Sequence, residues 1–279
     1  MTPQTFSFFA DFLYQRSGLS LAPEKEYLLE NRIAGVLRKH SFASFEDLAA
    51  RLKTKPNDSV AHDVVEAMSV TETSFFRDRN PFDHFVKIML PHLAGSRGPS
   101  ETIRIWSAAA SSGQEAYSLA MLSLENRGLL QGRKVEITAT DISPNVLEKA
   151  KAGLYSQFEV QRGMPTQYLL KYFEQKGDMW AVTPDVKALV NFQPFNLMSS
   201  FAAMPRFDIV FCRNVLIYFD IETKGKVLEK VGSILQPDGF MLLGSAETTM
   251  GVSDAFHPDP AIRSLYRKAD YAVKEKMSA

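Results

Sequence analysis

The chain is 279 residues long, with 32 Lys+Arg balanced by 32 Asp+Glu, 45% hydrophobic residues and 23% charged residues. These values fit one large domain or a larger and a smaller one, and they exclude a chain too polar to form a core. Zero formal net charge excludes a whole-molecule grip on nucleic acid or an anionic membrane, and a lone cysteine, Cys212, excludes an internal disulfide and a multi-cysteine metal site.

No apolar run approaches the roughly 18 residues of a membrane span. Met1-Thr-Pro-Gln-Thr-Phe6 lacks the basic start and small-residue cleavage site of a secretory signal. The expectation is a soluble cytoplasmic protein with no membrane insertion and no nucleic-acid partner.

Residues 1 to about 70 read as four short helices. Phe6, Phe9 and Leu13 share a helical face that ends at Ser17-Gly18. Pro23 opens a second helix with Glu24 and Glu26 in its first turn, and Tyr27, Leu28, Ile33, Val36 and Leu37 continue it to His40. Ser44 caps a third helix, with Asp47 in the capping-box position, and Asn57 or Asp58 starts a fourth that carries Val60, Val64, Val65 and Met68. After residue 100 strands and helices alternate. The predicted strands are 102–110, 135–141, 207–213 and 239–243, with helices from Ser112 to Arg127, after Ser143-Pro144, and from Ile221 to Leu235. That alternation predicts an α/β domain with a largely parallel sheet covered on both faces. Residues 164–195 break the pattern with a short helix and two β-rich runs, 178–182 and 188–192, read as a small antiparallel insertion.

Four segments carry candidate chemistry. Trp106-Ser-Ala-Ala-Ala-Ser-Ser-Gly113 joins the first strand to its helix, and its small residues either let the backbone approach a ligand or serve tight strand–helix packing. One glycine falls short of the G-x-G-x-x-G phosphate turn. Asp141 ends the second strand, where an acid can accept ribose hydroxyls or simply cap the next helix. Val70-Thr-Glu-Thr-Ser-Phe-Phe-Arg-Asp78 lies between the helical and α/β parts, either as a hinge or as part of a site. Phe211-Cys-Arg-Asn-Val-Leu-Ile-Tyr218 brings polar residues to the end of an apolar strand, where open α/β sheets bind ligands. Cys212 fits the strand core better than a nucleophile's role. His40, His62, His84, His92 and His257 show no ligand spacing, so no metal is expected.

In order, the chain shows a four-helix module, T-x-T-x-F-F-R, W-S-A-x-x-S-S-G-x-E-x-Y-S, A-T-D-I-S, F-x-x-x-N-L and F-C-R-N-V-L-I-Y-F. These motifs resemble the chemotaxis receptor glutamate methyltransferases, the CheR family, over nearly the whole chain to about residue 268. The resemblance implies a Rossmann-like domain dependent on S-adenosylmethionine (SAM) over residues 73–279, an all-α receptor-recognition domain over 1–72, and a product of S-adenosylhomocysteine (SAH). It implies methyl transfer to glutamate carboxylates on the cytoplasmic helices of methyl-accepting chemoreceptors, by a monomer. Matching positions put Thr71, Thr73, Arg77, Glu115, Asp141, Asn196, Leu197, Asn214 and Val215 at the cofactor, and Arg77 and Tyr218 near the transferred methyl. The chain departs from the family's pattern at Thr71, often Asn, at Ala109 and Ala110 in the small-residue turn, and at Ala116, often Pro. Each departure keeps the side chain small.

The chemistry agrees with that implication. A glutamate is ionised at neutral pH, so methylating it needs no general base, and the sequence offers no His–Asp or Cys–His pair. Residues 31–55 hold six basic side chains, Arg32, Arg38 and Lys39 among them, against two acidic ones. This is a solvated helix face or a surface that steers an acidic receptor helix. A dehydrogenase would want a glycine-rich turn, and a nucleic-acid methyltransferase an Asp/Asn-Pro-Pro-aromatic or Pro-Cys motif; neither occurs. The alternative is a catalytically weak SAM-binding receptor adaptor. Some members of the family capture a receptor's C-terminal pentapeptide as an added strand on the antiparallel insertion. The short segment Phe173–Trp180, with Gly177 alone, predicts independence of that peptide.

Overall fold

The computed structural model describes residues 1–271. Four helices build the N-terminal part: α1 (Pro3–Ser17), α2 (Glu26–His40), α3 (Phe45–Thr54) and α4 (Ser59–Met68). Their starts are set as the side chains dictate. Thr2, Ser44 and Asp58 each accept a backbone N–H of the first turn, at 3.2, 3.1 and 3.1 Å. Gly18, at φ 75°, turns the chain out of α1. Phe9, Leu13, Leu29, Ile33, Leu48 and Val64 are fully buried in a core that belongs to this helical module alone.

A connecting pair, α5 (Asn80–His84) and α6 (Leu90–Ser96), leads into β1 (Ile103–Ala108), α7 (Gln114–Glu125), α8 (Arg127–Leu130), β2 (Val135–Asp141) and α9 (Pro144–Ala152). Ser143 caps α9 and Pro144 is its first residue, as expected. Next come β3 (Leu154–Ser156), α10 (Gln157–Gln161), α11 (Thr166–Tyr172), β4 (Phe173–Lys176), β5 (Met179–Val182), α12 (Pro184–Lys187) and β6 (Val190–Pro194). The chain closes with β7 (Phe207–Cys212), α13 (Ile221–Ile234), β8 (Leu235–Leu243), β9 (Phe256–Pro258) and β10 (Leu265–Lys268). The main sheet runs β6-β2-β1-β7-β8-β10-β9, parallel from β6 to β8 and antiparallel at the last two. Strand order reverses between β1 and β7, which makes the crevice at their carboxyl ends the place for a ligand. Apolar clusters cover both faces, and buried Trp106 satisfies its ring N–H on Thr140 at 3.0 Å.

Two expectations are corrected. The run at 188–192 is no part of the insertion: β6 pairs in parallel with β2 at the edge of the main sheet. The small antiparallel sheet is β3-β5-β4, so it begins at Leu154, ahead of residue 164, and ends at Val182. Pro237-Asp-Gly239 forms a bulge within β8, because Leu235 already pairs with Phe207 and the register then jumps to Ile209–Phe240. Arg97 anchors the bulge through bonds of 2.7 Å to Asp238 and 2.8 Å to Asp208. This guanidinium holds the Asp238 carboxyl down at about 2.

Candidate active site

Pairing of β1 with β2 and β7 sets the carboxyl ends of three strands side by side, and each exit loop lends side chains to one cleft. The roof comes from the other part of the chain. Leu19, Met68, Ser69 and Val70 of the helical module face the sheet across the opening. All ten residues expected at the cofactor or the transferred methyl line this cleft: Thr71, Thr73 and Arg77 from the junction, Glu115 and Asp141 from the first two strand exits, Asn196 and Leu197 after β6, and Asn214, Val215 and Tyr218 after β7.

Asp141 is 7% exposed and receives the backbone N–H groups of Ser111 at 2.8 Å and Ser143 at 2.9 Å. Burial pushes its carboxyl pKa up, and these N–H groups oppose the rise. Each oxygen keeps a lone pair that can face the cleft. Asp141 therefore ties the small-residue turn to the start of α9 as well as standing at the sheet edge. The turn divides its duties. Gly113, at φ 94°, lies where a Cβ would come within 2.9 Å of Ala150 and 3.0 Å of Phe192, so its smallness serves packing. Ala109, Ala110 and Ser111 face the cleft.

Glu115 is held on both oxygens, by the Ser107 hydroxyl at 2.7 Å and by Arg213 at 2.8 Å. Arg213, whose side chain is 1% exposed, also reaches the Arg77 carbonyl at 3.0 Å and the Asp78 carboxylate at 2.7 Å. One guanidinium thus fixes the T-x-T-x-F-F-R junction against the sheet. The junction needs fixing: Phe76, Asp78 and Arg79 all take left-handed φ values of 49°, 68° and 50°. Ala109, Ser111 and Asn214 in the cleft are left-handed too, so strained backbone concentrates at this site. A second, open recess shares Thr73 and Arg77 with the cleft and runs over Arg79 and Arg162 to the surface.

Thr71 meets the cleft, and its carbonyl accepts the Ser111 hydroxyl at 2.6 Å. The Asn196 side chain spends its amide on the Arg16 carbonyl at 2.6 Å and its oxygen on the Met198 N–H at 2.9 Å. The Tyr218 phenol is raised in pKa by burial, and the charges of Arg32 and Arg77 pull it back. Among the residues expected to meet the receptor, Arg32 bonds the Met68 and Ser69 carbonyls at the end of α4, beside the cleft. Lys39 pairs with Asp63 at 2.7 Å, and the Arg38 side chain stands exposed with no bonded partner among the described residues.

Sequence reasoning missed two anchors. Arg213 was visible as an arginine ending an apolar strand, but its target, a loop more than a hundred residues earlier, was not. Glu247 lies four residues past β8 and accepts backbone N–H groups of the loop after β7. The signal that singled out Asp141, an acid just beyond a parallel strand, applies to it equally.

The donor set fits SAM. A buried acid faces the cleft at the second strand's end, a second acid lies deeper, and Ile142, Phe195 and Leu197 supply apolar wall. Comparison with known proteins agrees. Residues 71–262 match the family described as "CheR methyltransferase, SAM binding domain", and residues 4–69 match "CheR methyltransferase, all-alpha domain". The chemotaxis protein methyltransferase of Vibrio parahaemolyticus is 42% identical over 261 residues, covering 92% of this chain and 93% of that protein. Chemotaxis protein methyltransferase 1 of Pseudomonas aeruginosa is 39% identical over 256 residues, covering 90% and 92%. The Klebsiella aerogenes protein of the same name is 33% identical over 252 residues, covering 89% and 84%. A sheet with its crevice between β1 and β7, a cleft roofed by the helical module, and these matches across both parts give one conclusion: the chain belongs to the CheR family of SAM-dependent chemotaxis methyltransferases.

Proposed function

We propose that this enzyme esterifies glutamate side chains on the cytoplasmic helices of methyl-accepting chemoreceptors, with Arg77 and Tyr218 at the reacting carboxylate. When bound, SAM supplies an activated methyl group on a sulfonium. The protein's part is alignment and exclusion of water. Asp141 accepts from ribose hydroxyls, Glu115 faces the cationic end of the cofactor, and the backbone around Asn196-Leu197 and Asn214-Val215 borders the base. Thr71 and Thr73 close the junction side. Tyr218 donates its hydroxyl to the substrate carboxylate. Arg77 orients that carboxylate loosely, because a tight ion pair would quench the nucleophile.

What supports this reading is the convergence of ten side chains on a cleft lined, among the described residues, by no His, Lys or Cys. An ionised glutamate needs no base, so the reaction asks of this cleft only alignment and exclusion of water. The all-α part, residues 1–72, recognises the receptor, and Arg38 is the side chain best placed to meet an acidic helix. The test is transfer of labelled methyl from SAM to a panel of receptor cytoplasmic fragments. Base-labile label on glutamate is the expected outcome. Label on another side chain, or none on any fragment, refutes the proposal.

A further inference from the structure

Glu247 is an acid that the reaction itself does not use. It is 8% exposed and lies past β8, next to the β7 exit loop that carries Asn214 and Tyr218. One carboxylate oxygen accepts the N–H groups of Asn214 at 2.8 Å and Gly244 at 2.6 Å. The other accepts those of Val215 at 2.9 Å and Ile217 at 3.3 Å. Asn214 is left-handed at φ 59° where the loop begins, and the N–H groups of Asn214, Val215 and Ile217 all find their acceptor in this carboxylate. Gly244 makes the approach possible: a Cβ there would sit 2.8 Å from both the Asn214 amide and the Glu247 carboxylate.

We propose that Glu247 is a positioning residue for methyl transfer, whose carboxylate sets the 214–218 loop so that Tyr218 faces the cleft. Four donors converge on one short side chain, so the loop's conformation is tied to the presence of two acceptor oxygens. Tyr218 follows at once: its N–H bonds the Val215 carbonyl at 3.2 Å, and its carbonyl receives the Ser20 N–H at 3.0 Å. The loop is thus clamped by Glu247 at its start and by the helical module at its end. Glutamine, with one oxygen, can serve one pair of N–H groups and presents its own amide to the other. The inference rests on the proposed role of Tyr218, and the test separates the two.

Glu247→Gln, Tyr218→Phe and the double variant of the full chain are compared with the parent. Amide hydrogen exchange, which needs no substrate, is expected to speed up by at least about 10-fold at Asn214 or Val215 in Glu247→Gln. With receptor fragment and SAM, Glu247→Gln is expected to lower kcat by at least about 10-fold and to move the receptor KM by less than about 3-fold. Tyr218→Phe slows the parent, but is expected to cost less than about 2-fold in the Glu247→Gln background, because the hydroxyl is already misplaced. Unchanged exchange, parental kcat, or an equal Tyr218→Phe penalty in both backgrounds overturns the proposal. A parental rate in Tyr218→Phe overturns it as well, and locates the failure in the role given to Tyr218. Should Glu247→Gln not fold, Glu247→Asp, one methylene too short to reach both pairs, is judged by the same outcomes.

Discussion

Asp141 accepts two backbone N–H groups and borders the cleft, so its carboxylate has a structural and a binding duty at once. Removing it leaves the Ser111 and Ser143 N–H groups to find water and deletes the acceptor proposed for the ribose. Asp141→Ala is expected to weaken SAH binding by about 1.5–3 kcal/mol, roughly 10- to 150-fold, measured by calorimetry. Unchanged affinity in a folded variant would take Asp141 out of the cofactor site. Arg213 shows the opposite balance. Its side chain is buried, and it binds Glu115, Asp78 and the Arg77 carbonyl in one fork. Its work is to hold a strained junction against the sheet, which is why reading Arg77 as an isolated functional residue understates how it is placed. Asp141 was legible in the sequence from its place at a strand end, and Glu115 from the family motif that it matches. Their partners were not, since Arg213 and Glu115 are 98 residues apart and only the sheet brings them together.

The antiparallel element tests how far a short hairpin limits recognition. β4 and β5 are joined through Gly177-Asp178 alone, with Gly177 at φ 60°, a tight two-residue connection. Leu154, Phe158 and Leu170 are exposed on and around this unit, but the hairpin itself leaves no longer loop to cradle an anchoring aromatic ring. Titration with a free receptor-tail pentapeptide is therefore expected to show no saturable binding. Micromolar affinity would mean that the β4 edge pairs with a strand without help from the loop. The extent of this element could not be read along the chain. Leu154–Ser156 is a strand because Met179–Ala181 lies beside it, and Val190–Pro194 left the insertion because β2 offers it a longer parallel partner.

Across the whole molecule, charge is balanced and its distribution carries the recognition argument. Arg32 is occupied with the carbonyls that end α4, and Lys39 is held by Asp63. Arg38 remains for an acidic partner. Arg38→Glu is expected to raise the receptor KM by about 5- to 50-fold with kcat and SAH affinity unchanged, the range of one charged contact reversed at a partly exposed interface. Added salt should blunt the difference. An unchanged KM would assign docking to another face. The two parts of the chain meet at several bonds around the cleft, among them Tyr14 to Thr223 at 3.0 Å and the Ser143 hydroxyl to Glu66. The helical module and the cleft are thereby held next to one another.

The sequence alone determined the helices of the N-terminal part and the alternation of strands and helices that makes a largely parallel sheet, and its motifs, through the family they resemble, named the residues that line the cleft. These depend on local signals: apolar periodicity, caps such as Ser44 and Ser143, and acids or amides placed just after a strand. The tertiary structure alone decided what those residues lean on. Arg213 beneath the junction and Glu247 beneath the Tyr218 loop are chosen by which unpaired donors and acceptors folding brings within reach, and no periodicity records that. The same is true of the edge strand β6, whose pattern of apolar residues suits either sheet and whose place is set by the partner available.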